Sequence, residues 1–466
     1  MKMNNNQTNH LPPLHRLKKA NAILISLCVL SILFFLSLFW AIRPEPDDML
    51  ISLELRTGTF WTVFWYKFNY YSFRPIYTIF SFLTMGYSNN TGLFPYTTFA
   101  FYLLLYIFFV FVIYKLLKEI VLFDEQNNFL LLCFSVVQVT CIYFFTTERI
   151  EIFGWLSSSV IHLLPVVFVF YSLWLIIKNC SKKTDYLYLF IAALFVSGGS
   201  QHVVPILVLG SVICAALYFY KDRRAFVEIK ANQKARKTFF FLSITSALFL
   251  VFTFNPGTRL HFQSVDEYVT TNSNQYHFDL IKTISMFFKP YKLIGVVLLL
   301  TSWFIANESL GLKPVSKMNI RYLFVFLICA VVIVVGVAMT AYHNLLNGRV
   351  WFVFDITLFL TISMFVIKNA ERISPTKILI PLGFLSVIVL TAHDIKHIPA
   401  LLKFSSDHDR IVSELKQQDS AKAIMLNYFP LPDLTNQVPL SPDFNNAENQ
   451  LFCRFYGIKA KVALKE

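Results

Sequence analysis

The sequence predicts an all-α polytopic transmembrane fold of about eleven helices. The N-terminus is expected inside, and a small α/β extracytoplasmic C-terminal appendage is expected outside. Of the 466 residues, 56% are hydrophobic and only 15% are charged, against about 25% charged in soluble domains. The mean hydropathy is +0.57, and long apolar runs recur along the whole chain. An ordinary soluble globular protein is therefore excluded.

Each predicted span is an apolar run that meets or approaches the roughly 20 residues needed to cross the hydrocarbon core. These runs are 22–42, 95–114, 127–145, 159–177, 186–201, 203–220, 238–254, 291–306, 322–341, 350–367 and 378–393. The first run is too long for a signal-peptide core, and no small-residue cleavage site follows it. We therefore expect it to be retained as the first transmembrane helix.

The segment 72–87 is the one ambiguous apolar stretch. It is short, carries Arg74 and Pro75 near its start and is followed by the polar sequence SNNTG. We predict a re-entrant or interfacial helix there rather than a twelfth span.

The net charge of +14, from 41 basic and 27 acidic residues, supports that choice. Basic residues accumulate on the cytoplasmic side of membrane proteins. With eleven spans and the N-terminus inside, the surplus lies on the inner side, whereas a twelfth span would move the basic segment 221–237 outside. The lipid bilayer is then the expected partner, and nucleic-acid binding has no support.

The predicted topology divides the chain into two domains. Residues 1–393 form the transmembrane domain, with long outer loops at 43–94 and 255–291. Residues 394–466 form the small extracytoplasmic domain, in which we expect a helical stretch, a strand-like stretch and an amphipathic stretch.

The first outer loop carries the candidate catalytic residues Asp47 and Asp48, which follow Pro-Glu-Pro directly after the first span. A carboxylate at this place can accept a proton from an acceptor hydroxyl as a general base. Alternatively, one aspartate caps a helix that lies along the interface. Capping needs only one of the two, so the pair favours a functional role.

The connection between the third and fourth predicted spans holds a dense polar group for so apolar a chain. Glu148, Arg149, Glu151 and Trp155 lie there, and on a helix two glutamates three residues apart share one face. These residues are candidates for substrate binding. The alternative is a structural ion pair at the membrane surface.

Three more substrate-binding candidates lie near the outer ends of spans. Gln201 and His202 follow Ser-Gly-Gly-Ser, which the glycines also explain as a tight turn. Asp355 lies inside the span 350–367, where an ionisable residue is a functional candidate by default. A structural pair with an arginine of a neighbouring helix is the alternative.

Arg74, Arg259 and Arg349 are candidates for binding a donor phosphate, because each lies at predicted headgroup depth and a guanidinium grips phosphate in a fork. Arg74 lies in an aromatic-rich segment, 61–77. Such segments are also typical of membrane-interface belts.

Seven short motifs, in their order along the chain, carry a family resemblance. They are PEPDD, FRP, ERIEIFGW, GGSQH, NPGTR, NGRVW and the tail SPDFNNAENQLFCRFYGIKAKV. Together they resemble the polytopic membrane glycosyltransferases of the GT-C type, particularly bacterial proteins similar to O-antigen glucosyltransferases.

The resemblance implies sugar transfer from a polyprenyl-phosphate donor on the extracytoplasmic face. It makes Asp47 or Asp48 the base and places Arg259 and Arg349 at the donor phosphate. Relatives tend to carry an acidic residue where this chain has Gln201-His202.

The expected function is therefore that of a hexosyltransferase of cell-envelope polysaccharide biosynthesis in the bacterial cytoplasmic membrane. Its acceptor would be a cell-surface glycan or a lipid-linked molecule. A divalent cation, Mg²⁺ or Mn²⁺, stays open as a cofactor because two adjacent carboxylates and a phosphate can hold one. The alternatives are a lipid-linked sugar transporter or flippase and a non-catalytic assembly protein for surface polysaccharide.

Overall fold

The computed structural model describes residues 14–70, 74–83, 93–122, 125–178, 182–199, 203–221, 232–256, 289–314, 324–332, 351–369, 379–418, 423–427 and 440–465. Its helices are α1 Leu14–Ala41, α2 Pro46–Thr57, α3 Phe60–Tyr70, α4 Pro75–Ser81, α5 Phe94–Ile120, α6 Asn128–Phe145, α7 Arg149–Gly154, α8 Leu156–Ile177, α9 Thr184–Ser197, α10 Val203–Lys221, α11 Gln233–Thr253, α12 Pro290–Leu310, α13 Phe352–Asn369, α14 Leu379–Lys416 and α15 Ala447–Tyr456. Residues 324–332 are also helical.

Two pairs of short strands complete the described secondary structure. β1 Val121–Leu122 pairs antiparallel with β2 Lys313–Pro314, and this pair joins the ends of α5 and α12. β3 Ala423–Leu426 pairs parallel with β4 Lys461–Leu464 in the C-terminal segment.

Among the described residues, seven helices are long and apolar enough to cross a membrane: α1, α5, α6, α8, α11, α12 and α14. Three shorter apolar helices occur within α9, α10 and α13. The prediction of a helical, multi-pass membrane protein is confirmed at this level. The count of eleven spans and the orientation stay predictions, and the predicted span 322–341 is described only over 324–332.

The ambiguous segment 72–87 is described over residues 74–83, where it forms α4. With seven residues and a rise of 1.5 Å per residue, α4 is too short to cross a bilayer. Because residues 84–87 lie outside the described part of the chain, the re-entrant or interfacial helix stays a prediction.

The first and last long helices, α1 and α14, run parallel to each other. Ile23 in the first half of α1 lies beside Gly383 in the first half of α14. Farther along, the rings of Phe34 and His393 are 4.9 Å apart, and the guanidinium Nη2 of Arg43 is 2.7 Å from a carboxylate oxygen of Asp409. Both helices therefore direct their C-terminal ends to the same end of the bundle.

Helix α14 continues through the predicted domain boundary at residues 393 and 394. It includes Pro399 and ends at Lys416. Its buried apolar residues keep helical spacing beyond the boundary: Leu401, Phe404, Ile411, Val412 and Leu415. Because this apolar stripe continues, the predicted boundary falls inside a helix rather than at a linker.

The C-terminal elements pack against the segment that follows α1. Arg56 at the end of α2 donates from Nη1 to the backbone oxygen of Phe455 at 3.0 Å, and its guanidinium lies 4.9 Å from the Phe455 ring centroid. Within the tail, buried Asn449 donates to the backbone oxygens of Ser441 and Val462 at 2.8 and 3.1 Å. The tail thus lies at the end of the bundle that holds α2.

Candidate functional site

The Asp48 cluster joins the first turn of α2 to the start of α8. Pro46 occupies the first turn of α2, where its fixed φ suits a helix start, and this places the following aspartates at the helix N-terminus. Asp48 Oδ2 accepts the backbone N–H of Glu45 at 3.1 Å, and Oδ1 accepts the backbone N–H of Ser157 at 3.1 Å. The hydroxyl of Ser157 donates to the same Oδ1.

Burial distinguishes the two adjacent aspartates. The Asp48 side chain is buried completely, whereas Asp47 is exposed. Burial raises the pKa of Asp48 to about 7, and this outweighs the hydrogen bonds from Ser157 and Glu45, which lower it. Asp48 therefore has the capping role that the sequence analysis allowed for one aspartate, and Asp47 is the carboxylate open to another molecule.

Ser157 connects the Asp48 cluster to a third segment. Its hydroxyl lies 3.0 Å from the hydroxyl of Tyr77 on α4. Burial raises the pKa of Tyr77, and the nearby charge of Asp48 adds to this effect, so the phenol keeps its proton. With Ser157 donating to Asp48, the Tyr77 hydroxyl is left to donate to Ser157.

The Asp355 cluster lies at the other end of the same connecting segment, 146–159. Asp355 is fully buried in the first turn of α13. Its Oδ2 accepts the backbone N–H and the hydroxyl of Thr147 at 2.6 and 2.7 Å. Its Oδ1 lies 2.6 Å from Lys292 Nζ, which also donates to the Thr147 hydroxyl at 2.7 Å. The partner of Asp355 is therefore a lysine rather than the arginine considered from the sequence.

Arg149 lies between three aromatic rings beside this cluster. Its guanidinium carbon is 4.3 Å from the ring centroid of Tyr291, 5.2 Å from that of Tyr143 and 5.3 Å from that of Phe144. Within the described part of the chain, Arg149 forms no ion pair, and its buried Nη1 has no hydrogen-bond partner. Aromatic faces thus fix a guanidinium whose charge stays available to an anion.

The other substrate-binding candidates of this connection are two glutamates and a tryptophan, which lie in or beside α7. Helix α7 begins at Arg149, so Glu148 precedes it and only Glu151 lies in its first turn. Glu148 is thus the N-cap residue of α7, and the shared face of the two glutamates stays a prediction. Trp155 is largely buried directly before α8, two residues from Ser157.

The five remaining arginine and turn candidates divide between the described and undescribed parts of the chain. Arg74 precedes α4, and its backbone oxygen accepts the N–H of Thr78 at 3.0 Å. Gln201, His202, Arg259 and Arg349 lie outside the described residues, so their proposed roles stay predictions.

Sequence reasoning missed Lys292 and the histidine pair of α14. Lys292 lies inside the predicted span 291–306, so the rule that singled out Asp355 applies to it equally. His393 and His397 are four residues apart on α14, and their ring centroids are 4.6 Å apart. This spacing was visible in the sequence.

The adjacent aspartates do not fit a divalent cation well. Both oxygens of Asp48 accept hydrogen bonds, and Asp47 is exposed. In the segments that the structure describes, no group of three histidine, cysteine or acidic residues has the arrangement of a metal site. We derive no chemical step through a metal.

In comparisons with known proteins, no family model, no curated protein and no solved structure matches the chain.

Proposed function

We propose that the chain is an integral membrane glycosyltransferase. It moves a sugar from a polyprenyl-phosphate donor to a cell-surface glycan or lipid-linked acceptor on the extracytoplasmic face of the bacterial cytoplasmic membrane. One observation carries the proposal. Asp47 is exposed in the first turn of α2, and its buried neighbour Asp48 connects that turn to α8 through a hydrogen bond from Ser157.

In this proposal the two aspartates have different tasks. Asp47 accepts the proton of the acceptor hydroxyl as its oxygen attacks the anomeric carbon. The bond between that carbon and the phosphate oxygen breaks, and the phosphate leaves with the electron pair. Asp48 is a positioning residue, since its contacts to Glu45 and Ser157 hold the first turn of α2. Positioning of this kind lowers the entropic part of the barrier.

Arg149 supplies a cation for the leaving phosphate. Its lack of an ion pair among the described residues leaves its positive charge to stabilise the negative charge that develops as the bond breaks. A guanidinium held by aromatic faces needs little reorganisation in that step. Arg74, Arg259 and Arg349 remain further phosphate-binding candidates.

The test is sugar transfer from a lipid-linked donor by the full-length protein in membranes, followed by mass spectrometry of the surface glycans. We expect Asp47→Asn to lower transfer by about 10²-fold or more, the range of general-base catalysis. Arg149→Gln should also lower transfer, and Asp48→Asn should leave partial activity because an amide retains the size of the side chain.

Asp443→Asn is the matched control, because Asp443 is an exposed aspartate of the tail, and it should keep full transfer. Full transfer by Asp47→Asn in protein that is folded and inserted would refute the base assignment. Full transfer by both Asp47→Asn and Asp48→Asn would remove the aspartate pair from the mechanism altogether.

The Asp355–Lys292 pair favours a second candidate, a transporter for a lipid-linked sugar. Buried ionisable pairs between membrane helices mark many ion-coupled transport sites, and this pair joins α12 to α13. Proteoliposomes separate the two functions: movement of a lipid-linked sugar without a covalent product supports transport, and a covalent product supports transfer.

A further inference from the structure

A cavity of about 270 Å³ lies at the end of α1, apart from the Asp48 and Asp355 clusters. Its walls come from the end of α1, the start of α5, the last turns of α14 and one residue of α15. They combine aromatic, cationic, acidic and hydroxyl groups: Trp40, Arg43, Pro44, Phe94, Pro95, Tyr96, Asp409, Val412, Ser413, Lys416 and Tyr456. This mixture distinguishes the cavity from an apolar packing defect.

The polar wall of the cavity is built around Asp409. Arg43 donates from Nε and Nη2 to its two oxygens at 2.9 and 2.7 Å, while Nη1 donates to the backbone oxygens of Trp40 and Ile42. Arg43 is thus committed to protein acceptors and orients the carboxylate. His408 Nδ1 lies 3.2 Å from Oδ1 of the same carboxylate. The Asp409 side chain is 52% exposed, and Oδ2, which accepts from Arg43, keeps a lone pair for an outside donor.

Lys416 adds a positive charge at the same cavity. Its ammonium lies 5.7 Å from the ring centroid of Tyr456, and the side chain is exposed. The Arg43–Asp409 pair is neutral as a whole, and Lys416 contributes a positive charge to the cavity wall. The first residues of α5 also line it, and the N-terminal end of a helix attracts a phosphate.

The cavity also opens between two lipid-exposed helix faces. On α1, Trp40 shares an exposed face with Val29 and Leu33. On α5, Tyr96 shares an exposed face with Leu104 and Ile107.

The Trp40 and Tyr96 rings meet edge to face with centroids 5.7 Å apart. The two apolar faces therefore lie side by side and lead to the cavity, as acyl chains below a headgroup would require.

We propose that this cavity binds the headgroup of a phospholipid that carries a hydrogen-bond donor. The phosphodiester contacts Lys416 and the start of α5, the terminal hydroxyl or ammonium donates to Asp409, and the acyl chains lie along α1 and α5. Tryptophan and tyrosine at the rim suit the headgroup level of a bilayer. The bound lipid would join the transmembrane helices to α15, and binding does not depend on sugar transfer.

Native mass spectrometry of the full-length protein in detergent tests the proposal with three dioleoyl lipids. Phosphatidylethanolamine and phosphatidylglycerol carry a donor in the headgroup, whereas phosphatidylcholine carries none. We expect the first two to be retained about fivefold more than the third. Lys416→Gln should lower their retention about fivefold, the usual contribution of one lysine near a lipid surface.

Lys403→Gln is the matched control, because Lys403 is exposed on the same helix outside the cavity, and it should bind as the unmodified protein does. Equal retention of all three lipids, or equal behaviour of the two lysine variants, overturns the proposal. Displacement of the bound lipid by methyl glucoside would identify a saccharide site and overturns it as well.

Discussion

The Asp48 and Asp355 clusters each stabilise a buried carboxylate, but they do so with different donors. Both carboxylates are completely buried, and both accept a backbone N–H and a hydroxyl from the segment 146–159. Asp355 has in addition the ammonium of Lys292 at 2.6 Å. The contacts of Asp48 come from neutral donors, the backbone of Glu45 and both donor groups of Ser157.

This difference determines how each site responds to a change. A buried carboxylate held by neutral donors relieves its desolvation by taking up a proton, and the raised pKa of Asp48 shows this tendency. A buried carboxylate paired with an ammonium depends on that partner, and removal of one charge leaves the other uncompensated. A change of pH therefore acts on Asp48, and loss of the Lys292 ammonium acts on Asp355.

The largest expected effect is on the Asp355 cluster. Lys292→Met removes the ammonium and leaves a buried carboxylate with two donors from Thr147, so we expect a loss of about 3–5 kcal/mol in stability. Thermal unfolding in detergent measures it. The double variant Lys292→Met/Asp355→Leu should recover most of the loss, because no unpaired charge remains.

Lys289→Met provides the control for the lysine substitution, since Lys289 precedes the same helix and is only half-buried. We expect it to change stability by less than about 0.5 kcal/mol. If Lys292→Met proves no more harmful than Lys289→Met, the ion pair does not distinguish the two clusters.

The second prediction concerns the pH dependence of the Asp48 cluster. An aspartate in the unfolded chain has a pKa near 3.9, and the folded pKa of Asp48 is about 7. Between these values the folded protein binds more protons, so the contribution of Asp48 to stability falls as pH rises. The slope is at most about 1.4 kcal/mol per pH unit.

Asp48→Asn isolates this contribution, because the amide does not titrate. Relative to the unmodified protein, the variant should gain stability as the pH is raised from 4.5 to 7.5, measured as the difference in unfolding midpoint. A constant difference across that range would contradict the raised pKa.

Removal of one hydroxyl from each cluster compares the two clusters directly. Ser157→Ala removes the hydroxyl that donates to Asp48 and contacts Tyr77. Thr147→Val removes the hydroxyl that donates to Asp355 and accepts from Lys292. We expect a loss of about 1 kcal/mol for Ser157→Ala and up to about 3 kcal/mol for Thr147→Val, because hydrogen bonds to charged groups are stronger and the Thr147 hydroxyl contacts both a carboxylate and an ammonium.

Thermal unfolding of both variants beside Ser37→Ala checks this order. Ser37 donates only to the backbone oxygen of Leu33 on its own helix, so its substitution should change little. A larger loss for Ser157→Ala than for Thr147→Val would reverse the comparison.

The sequence predicts what is local in these clusters. Apolar runs locate the helices, and Pro46 followed by two aspartates is the pattern of a helix start, in which an acidic residue at the third helical position accepts the cap N–H. Asp48 occupies that position. A pattern search for capping boxes would therefore have separated the roles of Asp47 and Asp48.

Long-range pairings lack such a local signal. Lys292 and Asp355 are separated by 63 residues, and Asp48 and Ser157 by 109. Which helices meet is decided by packing over the whole bundle, and one sequence does not reveal it. The sequence predicts helix both in the last span, 378–393, and in the first part of the tail, but not that the two form one helix. Hydropathy decreases between them, while the apolar stripe of α14 persists through Leu415.

The smallest expected effect on stability is that of Asp47→Asn, because Asp47 is exposed whereas Asp48 and Asp355 are buried. Asp47 is exposed in the first turn of α2, where its interaction with the helix dipole contributes about 0.3–1 kcal/mol. Asp47→Asn should therefore change the free energy of unfolding by at most about 1 kcal/mol. A loss as large as that of Lys292→Met would mean that Asp47 is a structural residue, and any loss of sugar transfer in that variant would then reflect misfolding. Unchanged stability with abolished transfer would assign structure to Asp48 and chemistry to Asp47.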